Sequence, residues 1–228
     1  MKKGKILATW ILVLCMLGNL TISALAAEPK AEVPTLGGSV FTEEFYNASD
    51  DTIVCYMEGV PIRKDQVNQY GLVDPSAFDI PMTRDVPSSN YVTIPNGYNE
   101  AIVKTTISAP RYEQNNTMYY LQHLHGAQLA SSIETGDVQA LIGLILCFVP
   151  QASVPGFMIG LNAAYKAGVA SDIRKRTDYG NAVRVNEASS TFGTFYGVFD
   201  WSGRQIETSK NYTDGTTETV KSIVYGKG

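Results

Sequence analysis

Residues 138–170 read VQALIGLILCFVPQASVPGFMIGLNAAYKAGVA, the most apolar internal stretch of a 228-residue chain. It either crosses a membrane or forms the core of a domain. Pro150 and Pro155 stand five apart with Gln151 and Ser153 between them. A helix interior tolerates neither proline, while Pro155 suits the first turn of a new helix. The stretch therefore predicts two helices, at about 138–149 and 155–176, joined by a tight turn. A single span needs about 20 apolar residues for a hydrocarbon core of about 30 Å. The first arm offers about 12, or about 18 Å at 1.5 Å per residue, and Lys166 interrupts the second. Gly156, Gly160, Ala164 and Gly168 recur every fourth residue and share one ridge, with Gly143 and Cys147 at matching spacing on the first arm. Such a ridge lets another backbone approach closely, in a soluble core or between helices in lipid. A buried αα-hairpin under a sheet is the expectation, and insertion into a bilayer the alternative.

Upstream of the stretch, TIVCYM at 52–57 is rich in β-formers and reads as a strand, after which residues 58–61 turn the chain. Pro75, Pro81, Pro87 and Pro95 keep 71–99 from long regular structure, leaving a short strand at 91–94, and a further strand is expected at 101–107. Met118, Leu121, His125, Leu129 and Ile133 recur at steps of three or four. They predict an amphipathic helix from Asn115 or Asn116 to about 135, ended by Gly136, with Asp137 capping the next helix. Downstream, Arg174, Lys175, Arg176 and then Gly180 suit a helix C-terminus. From Val183 the period changes to two, and Ser202-Gly203 and Asp214-Gly215 are hairpin-type turns. Strands follow at about 204–212 and 216–225. Residues 191–201, TFGTFYGVFDW, are apolar on both alternating faces, as a central strand would be. The expected fold is α+β: a mostly antiparallel sheet with a C-terminal β-meander packed around an amphipathic helix and a central apolar αα-hairpin, the helical insert covering 115–178.

The chain begins MKKGKILATWILVLCMLGNLTISALAAEPK. Basic Lys2, Lys3 and Lys5, an apolar run from Ile6 to about Leu17, and Ala24-Leu25-Ala26 have the layout of a secretory signal peptide cleaved after Ala26. Residues 27–40, small and broken by Pro and Gly, read as a disordered leader, and 41–228 as one domain. Loss of the three signal lysines leaves 15 basic against 22 acidic side chains. That balance opposes nucleic acid and gives no electrostatic help toward anionic lipid. Cys55 and Cys147 remain as a candidate disulfide in an oxidising compartment, although a cysteine in an oily run also behaves as a small hydrophobe.

Catalytic patterns are sparse. His123 and His125 are two apart, so on a helix they point about 200° apart and cannot share a metal. His125 falls on the apolar face as a core histidine. No HExxH, GxSxG, SxxK, Walker A or GxGxxG pattern occurs. Asp200 and Asp214 sit where hairpin ends place solvated aspartates. No cofactor or metal is expected. The expected function is a secreted, non-enzymatic binding or surface-interaction module. The alternatives are a membrane-active protein that uses 138–170 and, third, a secreted hydrolase. The partner is correspondingly a cell-surface ligand or a lipid membrane.

Overall fold

The computed structural model describes residues 40–79, 88–108, 113–146, 161–211 and 216–228. Every described residue belongs to the second of two units into which the chain divides, Leu36–Gly228. The expected signal peptide and nearly all of the expected leader lie outside the described residues. Val40 already belongs to the domain, its carbonyl accepting from Thr194 N at 3.0 Å.

The second unit is mixed α/β and its sheets are antiparallel. In chain order the elements are α1 (Glu43–Asn47), β1 (Ile53–Met57), β2 (Val60–Arg63), β3 (Ser88–Thr93), β4 (Glu100–Ser108), β5 (Glu113–Leu121), α2 (His123–Thr135), α3 (Val138–Leu146), α4 (Leu161–Ala167), α5 (Val169–Thr177), β6 (Val183–Ser190), β7 (Gly193–Asp200), β8 (Gln205–Asn211) and β9 (Thr217–Gly226). β1 and β2 form a two-stranded hairpin. The other seven form one sheet in the order β3-β8-β9-β4-β5-β6-β7.

Side chains alternate across the sheet and give it two faces. On one, here called the back, Ile102, Tyr119, Leu121, Val183, Val185 and Tyr196 form a single buried cluster with Leu129 and Ile133 of α2, Leu141 and Leu144 of α3, Ala164 and Ala167 of α4, and Val169 and Ile173 of α5. Besides a smaller contact of Tyr56 with Ile107, the front carries two clusters. One joins Ala188 and Phe195 to the β1–β2 hairpin through Val54, Cys55, Met57 and Ile62. The other joins Ala101, Val103, Met118 and Tyr120 to Ile206 of β8. β8 pairs with β9 at only two positions, Lys210↔Glu218 and Asn211↔Thr217, but with β3 at six. The β3–β8 ribbon thus leaves the sheet edge and packs Ile206 over its front.

Several expectations are corrected by this topology. The helix does not begin at Asn115 or Asn116: residues 113–121 are β5, and α2 starts at His123. Met118 and Leu121 fit a helical step, yet they face opposite sides of a strand, Met118 in the front cluster and Leu121 in the back one. Thr117, Tyr119 and Tyr120 supply the β-formers that decide the matter. The second oily arm is not continuous to 176, because Gly168 takes φ +92 and separates α4 from α5. The four C-terminal strands are not one meander: β6–β7 and β8–β9 are separated by β4 and β5. β7 is an edge strand rather than a central one. It is nevertheless covered, since Thr42 N donates to Phe192 O, Val73 N to Tyr196 O and Tyr196 N to Gly71 O. The turn expected between the oily arms lies outside the described residues.

The helix ends follow their residues more closely. Gly136 closes α2 in the left-handed conformation at φ +66. Asp137 Oδ1 accepts from Gln139 N and Ala140 N, both at 3.0 Å, and so caps α3. The close helix approach occurs at Gly126 of α2, where a Cβ would meet Val183 Cγ1 at 2.7 Å and Thr177 Cγ2 at 2.8 Å. Gly126→Ala gains about 1 kcal/mol of helix propensity but overpacks this contact at a cost of about 1–3 kcal/mol. The expected net result is a loss of stability in urea unfolding; an unchanged or raised midpoint contradicts so close a contact.

Candidate functional site

The front-face clusters are separated by charged side chains, and these converge where the β1–β2 turn meets β8. Met57 pairs with Val60 across the two-residue loop Glu58-Gly59, in which both residues have positive φ, +55 and +79. That is the backbone of a type I′ turn, in which Gly or Asn normally sits. Glu58 occupies the left-handed region at a cost of about 1–2 kcal/mol. Its carboxylate receives the Arg184 guanidinium on one oxygen and Asn186 Nδ2 on the other, the latter at 2.8 Å. Arg184 also lies over the rings of Phe199 at 4.9 Å and Tyr120 at 5.8 Å, and 3.9 Å from Glu207. Burial pulls the Arg184 pKa down, but Glu58, Tyr120 and Glu207 outweigh it, and the guanidinium pKa stands above its ordinary value.

Glu207 in turn binds Lys210 Nζ at 2.8 Å. Burial pushes the Glu207 carboxyl upward, and Lys210 opposes the shift. Glu218 of β9 accepts from Thr105 Oγ1 at 2.5 Å and from Asn116 Nδ2 at 3.1 Å. Gln114, wholly buried, acts as a substitute backbone: its Oε1 accepts from Tyr56 N and its Nε2 donates to Tyr56 O, each at 2.7 Å. Its second Nε2 proton goes to Asn116 Oδ1 at 2.6 Å. Among these groups, including Glu58, Asn116, Asn186, Lys210 and Glu218, a cleft remains with room for about one water molecule. Asn186 Oδ1, buried beside it, has no hydrogen-bond partner among the described residues.

Two further carboxyls are buried on the back. Glu187 of β6 stands in register between Thr117 and Tyr196. Burial raises its pKa to about 7, against a lowering by Lys104. Its Oε2 and the Tyr196 hydroxyl have no hydrogen-bond partner among the described residues. Glu100 accepts from Gln122 N and meets His125 Nδ1, both at 2.6 Å. Burial raises the Glu100 pKa, while these two bonds oppose the rise. His125 is therefore held against a carboxylate, and the other histidine, His123, is exposed.

The residues singled out in the sequence fall elsewhere. Ala164 is buried in the back core, whereas Gly143 is exposed, and an added Cβ there would meet no atom of the described residues outside its own helix within 4 Å. Gly168 sits in the break between α4 and α5, off any continuous helical ridge. Gly156, Gly160 and Cys147 lie outside the described residues. Cys55 is a buried free thiol whose pKa burial holds well above the ordinary range. It packs in the front cluster, while α3, which leads toward Cys147, packs on the back. Asp200 pairs with Arg176 at 2.8 Å, and Asp214 lies outside the described residues. Among the described residues no three His, Cys, Asp or Glu side chains are grouped to hold a metal, and no helix is long and apolar enough to cross a membrane. Comparison with protein-family models, curated proteins and solved structures gives no match.

The buried carboxyls set a pH dependence of stability. Glu187 has its pKa raised from 4.5 to about 7, so its contribution is complete below about 4.5 and is lost as pH rises through about 7. The span is on the order of 3 kcal/mol. Urea unfolding is expected to show greater stability at pH 5 than at pH 7.5. Glu187→Gln, which cannot ionise, should flatten much of that difference; identical pH profiles for variant and wild type would contradict the assignment.

Proposed function

We propose that this chain is an exported, non-catalytic binding module that recognises an extended polypeptide segment by adding it to the edge of β3. The carrying observation is the asymmetry of the sheet's two edges. The β7 edge is filled by the chain's own residues 40–42 and 71–73. At the other end β3 pairs with β8, and no described strand lies beyond it. Edge strands are normally guarded by charges, proline or a covering loop, yet Ser88–Thr93 reads SSNYVT and holds no charge and no proline. Tyr91 and Val92 are both exposed. Ile94 N donates inward to Arg204 O at 3.0 Å, so the alternation of an antiparallel ladder turns the N–H groups of Thr93 and Tyr91 outward. An open row of donors flanked by exposed apolar side chains is the template that strand-addition domains use.

Support against catalysis comes from how the acids and bases are employed. Glu58 and Glu207 pair with Arg184, and Glu207 also with Lys210, around a cleft that admits little more than water, while on the back Glu100 is held against His125. Export rests on the N-terminal layout of residues 1–26.

A displayed library of random peptides tests the reading. Residues 27–228 are expected to select extended peptides whose binding is lost in Thr93→Pro. That change removes one outward N–H and leaves the bonds to β8 intact. Selected peptides that bind Thr93→Pro equally well would overturn the β3 assignment. Dye release from lipid vesicles by the same protein would favour membrane action by residues 138–170 instead.

A further inference from the structure

We infer that the extended segment received by β3 is β3 of a second copy of this chain, the two strands pairing antiparallel about a two-fold axis at Tyr91. The inference rests on the β3 edge argued above and names its partner. That edge is regular along its length. The extra residue of the β3–β8 irregularity, Thr208, belongs to β8, because Asn90 pairs with Ser209 and Tyr91 with Glu207. The alternation of β3 is therefore uninterrupted. Asn90 O accepts from Thr208 Oγ1 at 3.1 Å and Ile94 N donates to Arg204 O at 3.0 Å, so the even-numbered residues turn their backbone groups toward β8. The N–H and C=O groups of Ser89, Tyr91 and Thr93 turn outward.

These outward residues form a self-complementary row. With the axis at Tyr91, an antiparallel copy sets Ser89 opposite Thr93, Tyr91 opposite Tyr91, and Thr93 opposite Ser89. Each such pair exchanges two hydrogen bonds, about six in all. An axis at Asn90 or Val92 would leave one outward residue of each strand without a partner in the other β3. The side chains match as well as the backbone. An aromatic pair at the centre with Thr–Ser hydroxyl pairs on both sides is a stabilising set for an antiparallel ladder. Charge points to the same partner. The chain carries 22 acidic against 18 basic side chains, so two copies repel over much of their surface. β3 is neutral, and Lys210 and Glu207, in register with Ser89 and Tyr91, are buried and paired with each other. Tyr91, 57% exposed, and Val92, 40% exposed, bring apolar area to the contact. Because the β7 edge is already filled by residues 40–42 and 71–73, the pairing closes into a dimer and does not propagate.

Sedimentation equilibrium of residues 27–228 tests the partner, and engineered cysteines test the register. The wild type is expected to double in mass as its concentration rises. Thr93→Pro should stay monomeric, and so should Tyr91→Lys, which sets two like charges face to face from an exposed position. Hydrogen-bonded partners stand about 5.5 Å apart at Cα, within disulfide range, whereas residues offset by two stand about 7–8 Å apart, beyond it. Tyr91→Cys should therefore oxidise to a linked dimer, and Val92→Cys should not. A wild type that is monomeric at every concentration overturns the inference. If that monomer still selects foreign peptides that Thr93→Pro loses, the β3 edge stands and its partner is another chain; if it selects none, the edge reading falls too. A dimer that survives in Tyr91→Lys, or that links through Val92→Cys instead of Tyr91→Cys, overturns the proposed pairing.

Discussion

The Arg184 guanidinium is the constraint on which the front of this molecule depends. Removing an arginine from water costs several kcal/mol unless its charge is matched and its donors are used. Here the match comes from three directions: Glu58 at the tip of the β1–β2 hairpin, Glu207 on β8, and the ring faces of Phe199 and Tyr120. Each partner belongs to a different cover or strand, so satisfying one cation fixes the hairpin, the ribbon and the sheet together. The left-handed backbone of Glu58 makes sense in this setting. A glycine or asparagine would form the turn more cheaply, but neither would carry a carboxylate to Arg184.

The two faces are built on different physics. The back is fastened by apolar packing of helices on the sheet, close enough at Gly126 to exclude a methyl group. The front is fastened by buried polar groups that replace backbone pairing, with Gln114 serving Tyr56 as a neighbouring strand would. Buried polar networks discriminate sharply between satisfied and unsatisfied geometry.

Local features were readable in the sequence because their causes are local. β-formers marked β1 and β4, Gly136 and Asp137 marked a helix end and the next cap, and the paired turn signals marked the C-terminal strands. β5 was misread because Met118, Leu121 and His125 satisfy a helical step by coincidence, and the sequence from Gln114 to Asn116 shows no clean alternation. Turn signals said that the chain reverses, not which strand it then joins, so the split of β6–β7 from β8–β9 was invisible. The charge cluster left no signal at all. Glu58, Arg184, Glu207 and Glu218 lie far apart in sequence and meet only through topology, whereas Gly168, the last member of the small-residue ridge that stands out in the sequence, sits at a helix break.

Hydrogen exchange under native conditions, comparing wild type with Arg184→Gln, tests the central claim most directly. Removing the cation leaves Glu58 without its charge partner and Glu207 with Lys210 alone, at a cost of about 3–5 kcal/mol for a broken buried pair. The account predicts that β1, β2 and β8 lose protection together while α2 and α5 keep theirs. Loss confined to one of the two covers, or spread evenly over front and back, would contradict the view that one buried guanidinium fastens both.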